Sequence, residues 1–321
     1  MTIIDVPPPV APEHTDFDLL TVTLTRSRRW KERLATSAMI LSFLIAAIPL
    51  AAVMVVVVQK GQGVVRADWF TNDIPTDIAS SALAAKFGAV ADPVVYGMQP
   101  AIIGTLFITL LASLIAIPIG ILGAVYLNEY GKKRRLASAI RFLTDVMTGV
   151  PSVVMGIFIY TVFVLHFHQR TTFAGALALA CLMLPIVVRS TEEMLKLVPD
   201  NLREASAALG TRTWRTTIGV VLPAALPGIT SGCMLALARA AGETAPLLFT
   251  VGSISHFPGI AHLVDQLGQQ NTALSTQIFS NATQPGGEPL AWGAALTLIV
   301  MVLVLTLLAR FVTARFASLR S

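Results

Sequence analysis

The sequence predicts an all-α polytopic membrane protein with six transmembrane helices and both termini on the cytoplasmic side. Three observations carry this. Hydrophobic residues make up 55% of the 321 and charged residues only 13%, about half the charged share of an ordinary soluble domain. Apolar runs recur at lengths that suit a hydrocarbon core about 30 Å thick, which takes about 20 residues of helix. The Lys and Arg residues gather in alternate connections between those runs. A water-soluble globule of this size cannot hide so much apolar surface. A soluble enzyme, a disordered regulator and a disulfide scaffold are therefore excluded.

The elements follow in order. Residues 1–37 read as a basic cytoplasmic tail, disordered through the run Pro7-Pro8-Pro9-Val10-Ala11-Pro12. The first span, about Ala38 to Val58 with Pro49 inside it, starts too late and runs too long for a cleaved signal peptide. An extracytoplasmic loop covers 59–100, and its stretch with Trp69, Phe70 and Asp73 is a candidate for short helices that meet a partner. The remaining five spans fall in a core at 101–312. They run from about Ala101 to Leu127, Phe142 to Leu165, Thr172 to Val188, Gly228 to Val251 and Leu290 to Val312. A short tail, 313–321, closes the chain.

Charge sets the orientation. The N-terminal tail, the connection between spans two and three, the connection between spans four and five, and the C-terminal tail hold seventeen basic residues. The opposite side holds four, Lys60, Arg66, Lys86 and Arg170, and the segment 252–289 has none. This is the positive-inside pattern. The sequence pI of about 9.5 is thus topology, and no nucleic-acid partner is expected; the surroundings are membrane lipid. Cys181 and Cys233 lie inside apolar runs and read as buried free thiols. With no CxxC pair, HExxH or His/Cys cluster, no metal site is expected.

Two basic residues belong to neither side. Arg239 lies near the middle of the fifth span, with Glu243 four residues on and on the same helical face. Arg189 ends the run Leu184-Pro185-Ile186-Val187-Val188. A charge at mid-membrane costs about 2.5 to 3.5 kcal/mol on insertion scales, so such residues face a bundle interior or an aqueous path. The bland readings are an internal Arg239–Glu243 salt bridge, and an Arg189 that snorkels to the headgroups. The functional reading is an oxyanion path, since guanidinium forks match tetrahedral oxyanions. Glu243 would then keep anion binding weak enough for release.

The connection between spans four and five, about 199–223, reads as two short helices. Asn201 and Glu204 stand at capping-box spacing, Gly210 suits a left-handed stop, and Thr211 or Thr213 can cap a second helix halted near Leu222-Pro223. Within it, Glu204-Ala205-Ser206, then Gly210, Val220 and Leu222-Pro223 resemble the EAA signature of ABC importer permeases, departing from it at Ser206 for Ala and Val220 for Ile. Gly149 to Gly156, Leu184 to Glu193, Arg239 to Thr250 and Ala291 to Ala295 resemble the phosphate importer permeases of the PstA type within that family.

The resemblance implies a type I ABC importer permease fold and a subunit forming half of an ATP-driven phosphate path. It implies that Glu204, Ala205, Gly210, Leu222 and Pro223 couple to an ATPase, and that Arg189 and Arg239, with Glu243 beside the latter, line the substrate path. The implied partners are a sister permease (PstC type), an ABC ATPase homodimer (PstB type) and an extracytoplasmic phosphate-binding protein (PstS type). Without a GxxxxGK[ST] motif the chain is expected to bind no cofactor itself, ATP and Mg being held by the ATPase. A permease for another oxyanion, a secondary anion transporter and an intramembrane enzyme are the competing readings. The last two lack, respectively, an internal repeat and a membrane-embedded His or aspartate pair.

Overall fold

The computed structural model describes residues 26–76, 78, 80, 95–131, 134–259, 262 and 264–318. The Pro-rich run at 7–12 lies outside them, as do Lys86, Lys132, Lys133 and Arg320. Every regular element among the described residues is a helix. The chain divides into two units, up to Val55 and from Val56 onward. The described part of the first is one helix that runs through Pro49 and makes up most of α1 (Arg26–Gly61). It starts ahead of the expected Ala38 because 26–33, rich in Arg, Lys and Glu, is itself a good helix former.

In the second unit the most extensive packing joins α2 (Gln99–Val125) to α5 (Thr172–Lys196). Ala112, Ala116, Gly120 and Ala124 recur every four residues along α2 and are all buried. A stripe of small residues lets two backbones approach closely, which is how helices associate where lipid removes the usual hydrophobic drive. Val187 of α5 lies directly against Gly120. Past α2 a π-helical turn, Tyr126–Tyr130, ends on Gly131.

Among the described residues five helices are long and apolar enough to cross a membrane, and one bent pair, taken as a single span, brings the number to six. That pair corrects the expected straight third span. α3 (Arg135–Gly149) and α4 (Ser152–Ile159), the latter continued by a π turn to Val164 and a last turn to Phe167, meet at 108°. The residue before a proline is pushed out of the helical region. Val150 (ψ 128°) accordingly stands extended ahead of Pro151, which opens α4.

The fifth span also differs. After α6 (Asp200–Ala208), helix resumes at α7 (Thr213–Thr216) and passes through a π turn (Thr217–Val221) into α8 (Leu222–Gly242). It is not halted at Pro223. The π turn shifts the hydrogen-bond register just where the proline has no N–H to give, so the helix continues. The break comes later, at Glu243 and Thr244, before α9 (Ala245–Thr250).

Outside the spans, Trp69 sits in a 3-10 turn (Ala67–Phe70), wholly buried, and donates from Nε1 to Thr297 Oγ1 at 2.9 Å. It is a packing residue rather than a partner contact. The segment after α9 folds inward to α10 (Leu274–Thr283) before α11 (Glu288–Ser318). Asn271, Thr272, Ser275, Thr276, Gln277 and Asn281 are all buried there. They are hydrogen-bonded to one another, to Thr172 and to backbone, and the Leu274 N–H between them donates to Thr105 Oγ1.

Candidate functional site

Depth along the bundle follows from the register of α8 on α5. Gly228 packs against Met194 and Gly232 against Ser190, so the helices are antiparallel and one turn up α8 is one turn back along α5. Carrying that register on brings Arg239 level with about residue 183, the middle of α5. Arg239 thus stands level with the middle of α5, and it occupies the last turn of α8 rather than the middle of a continuous helix. Glu243 is not on the same helical face, because α8 ends at Gly242 and Glu243 is extended (φ −73°, ψ 129°). Its carboxylate nevertheless returns to Arg239, with Nε to Oε1 at 3.4 Å. The Arg239 side chain is 64% exposed and that of Glu243 17%. The guanidinium is therefore presented outward while its counter-ion is held in.

The break itself is fixed. Ser275 Oγ of α10 donates to the Glu243 carbonyl at 2.9 Å, one of the backbone acceptors that a helix end leaves without an intrahelical partner. Broken helices at mid-depth gather exposed backbone dipoles around an ion or substrate path, and Arg239 stands beside this one.

Arg189 lies six residues nearer the cytoplasmic end of α5, about 9 Å of helix rise from the level of Arg239. It has its own partners. Nη1 donates to Asp145 Oδ1 at 2.8 Å, and Nε is 3.5 Å from Glu193 Oε1. The two arginines share no carboxylate in these ion pairs. Asp145 was not foreseen as a partner; its place in the sequence, far from Arg189, hides that α3 lies across α5.

Below Arg189 the same two helices are clamped again. Glu192, with a side chain only 3% exposed, takes Arg141 Nε and Lys196 Nζ, both at 2.9 Å. Arg141 also donates from Nη2 to the Leu127 carbonyl at 2.9 Å.

At the cytoplasmic end, α6 begins at Asp200 after Pro199, without the expected side-chain cap from Asn201. Its far end is as the sequence indicates. Gly210 has φ +73°, its N–H reaches the Ala207 carbonyl at 2.9 Å, and Thr211 N–H reaches that of Ser206 at 3.3 Å. These are the two bonds of a Schellman stop. Thr211 does not cap the next helix. Its hydroxyl joins those of Ser206 (2.6 Å) and Thr216 (3.0 Å), and Ser206 meets Thr216 at 2.8 Å. The departure at Ser206 thus ties the hairpin together. Glu204, Ala205 and Gly210 are exposed, and so are the apolar side chains of Leu202, Leu209, Trp214 and Ile218. Leu222 and Pro223 are half-buried in the first turn of α8, Leu222 packing on the main core.

Comparison with known proteins agrees with this arrangement. Residues 116–318 match the family model described as the binding-protein-dependent transport system inner membrane component. The chain is 40% identical over 299 residues to the phosphate transport system permease protein PstA 1 of Mycobacterium tuberculosis strain CDC 1551 / Oshkosh, covering 91% of this chain and 92% of that one. It is 44% identical over 221 residues to PstA of Yersinia pestis, covering 68% and 73%. In fold it is similar to the inward-facing methionine ABC transporter MetNI, with TM-score 0.54 at 16% identity over 68% of this chain and 93% of that one. It is also similar to a bacterial ABC transporter that imports the acidic polysaccharide alginate, with TM-score 0.56 at 17% identity over 90% and 96%.

Proposed function

Because the chain belongs to the family of binding-protein-dependent transport system inner membrane components, we propose that it is the permease subunit of an ATP-driven phosphate importer, of the PstA type. It is an integral inner-membrane protein with the type I ABC importer permease fold, and a transport subunit rather than an enzyme. The relatives named for phosphate transport at 40% and 44% identity support the substrate. The observation that carries the path is the Arg239–Glu243 pair beside a helix break at mid-depth.

In this reading Arg239 and Arg189 meet phosphate in turn as it sheds water, each giving up a carboxylate partner to the anion. Glu243, Asp145 and Glu193 reclaim the guanidiniums when the anion leaves, so binding stays weak enough for turnover. A PstC-type sister permease supplies the other half of the path, and a PstS-type binding protein delivers phosphate from outside. A PstB-type ATPase pair holds ATP and Mg, and its closure draws the α6 hairpins together, turning the path outward. Alternation between two discrete arrangements is what couples the sites.

The α6 hairpin suits that role because it is stopped at Gly210, tied by the Ser206, Thr211 and Thr216 hydroxyls, and exposes the apolar side chains of Leu202, Leu209, Trp214 and Ile218. Its test is association. Gly210→Val forces a β-branched residue to positive φ, at about 1 to 2 kcal/mol or more, and opens the hairpin; a Cβ there meets no neighbouring atom. Glu204→Lys reverses an exposed charge. Both variants are expected to reach the membrane at normal levels but to retain about one tenth of the ATPase on purification, an affinity loss of about 1.4 kcal/mol. Full retention in both would remove the hairpin as the docking element.

A further inference from the structure

We infer that Arg203 is the latch that carries movement of the α6 hairpin into the α2–α5 pair, a positioning residue that acts through Glu129. The inference rests on the reading of α6 as the ATPase-docking element, and it concerns what happens beyond the dock.

A guanidinium has five N–H donors in a fixed fork, and Arg203 uses every one. Nε and Nη2 reach Glu129 Oε1 at 3.3 and 3.1 Å. Nη2 also donates to the Leu195 carbonyl at 2.8 Å. Nη1 donates to the Val198 carbonyl at 2.7 Å and to Asp200 Oδ1 at 3.1 Å. These acceptors come from three places: the π turn that ends α2, the C-terminal end of α5 with the residues that follow it, and the first turn of α6 itself. Glu129 also accepts from Asn128 Nδ2 at 2.8 Å.

Burial makes the contact stiff. The Glu129 side chain is 6% exposed and that of Arg203 15%. An ion pair so placed is weakly screened, and removing one partner leaves a charge without water or counter-ion. The carbonyls of Leu195 and Val198 belong to a helix end whose acceptors have no intrahelical donors, and a cation there also suits the helix dipole. Along the chain, α6 follows α5 through the short connection Leu197, Val198 and Pro199. With the latch, α6 cannot tilt without moving the cytoplasmic ends of α2 and α5, which are the most extensively packed helices in the second unit. Arg189 lies on the same α5, two turns above.

Lysine keeps the charge but offers one nitrogen in place of the fork, so Arg203→Lys separates charge from geometry. Glu129→Gln keeps shape and removes the charge. The test uses the whole complex in proteoliposomes, with sister permease, ATPase and binding protein present. It measures retained ATPase, ATP hydrolysis and phosphate uptake together. Both variants are expected to retain the ATPase and to hydrolyse ATP, while phosphate taken up per ATP falls about tenfold, within the range of known coupling energies. A residue that only stabilised the fold would lower the amount of complex and leave that ratio unchanged.

An unchanged ratio in both variants overturns the latch, as does loss of the ATPase from the Arg203→Lys complex, which would make Arg203 part of the dock. If Arg203→Lys fails to accumulate, Glu129→Gln decides by the same ratio. Failure of the docking reading has a separate signature, a complex in which Gly210→Val and Glu204→Lys retain the ATPase in full.

Discussion

Arg239→Gln is expected to lower ATP-driven phosphate uptake about 100-fold at normal membrane levels, the rate equivalent of about 2.7 kcal/mol lost from a desolvated charge contact. Glutamine keeps a polar, planar head but is shorter, offers two N–H donors in place of five, and cannot offset the charge of a phosphate that has left water. The position matters as much as the charge. Arg239 lies at mid-depth, with its side chain presented outward and a single carboxylate, Glu243, beside it. Arg189 is nearer the cytoplasm and shared by Asp145 and Glu193, so its replacement should cost less. The check is uptake of labelled phosphate in cells, with the subunit quantified in the membrane fraction. Uptake within twofold of wild type would take Arg239 out of the path.

Gly104→Ala is expected to be the most damaging small substitution in the bundle. A Cβ at this position would stand 2.0 Å from the Thr272 carbonyl oxygen and 2.5 Å from Asn271 Oδ1. The first obstacle is backbone, so the segment must move rather than a side-chain tip. That segment donates from Leu274 N–H to Thr105 Oγ1, from Asn271 Nδ2 to Thr172 Oγ1, and from Ser275 Oγ to the Glu243 carbonyl. Overpacking of this kind costs about 1 to 3 kcal/mol, occasionally more. The expected result is a lower unfolding midpoint in detergent and less protein in the membrane. Gly123→Ala is the control, since its Cβ would meet only Val188 Cγ2 at 3.7 Å. Equal midpoints for the two variants would contradict the account of this contact.

Much of the architecture was legible because the bilayer simplifies the problem. Apolar runs fixed the spans, and Lys and Arg placement fixed their sides. The breaks were harder. Val150-Pro151 bends the third span by 108°, whereas Pro118, Pro185 and Pro227 sit inside unbroken helices. A proline's effect depends on whether the freed carbonyl finds another donor and on what packs alongside. Neither is visible in one dimension. The break at Glu243 comes just before Pro246, which opens α9 without an N–H for the Gly242 carbonyl, and Ser275, distant in sequence, donates to the Glu243 carbonyl.

The candidate site was legible in part for a related reason. Arg189 and Arg239 stood out as charges in apolar runs. Arg141 and Arg203 did not, because a cytoplasmic connection rich in basic residues disguises those that pair with buried carboxylates. Arg203 is almost wholly enclosed and Arg141 clamps Glu192. Their partners, Glu129 and Glu192, lie at the ends of spans where an acidic residue attracts no notice. Ser206 was a small departure from a family signature and proves to bind two hydroxyls across the hairpin.

The most direct measurement of the central claim is anion accumulation by the purified, reconstituted complex. Wild-type complex in proteoliposomes, supplied with binding protein and ATP, should accumulate labelled phosphate. The complex carrying both Arg189→Gln and Arg239→Gln should not, although it retains its ATPase. Accumulation of sulfate in place of phosphate, or phosphate accumulation undiminished in the double variant, would contradict it.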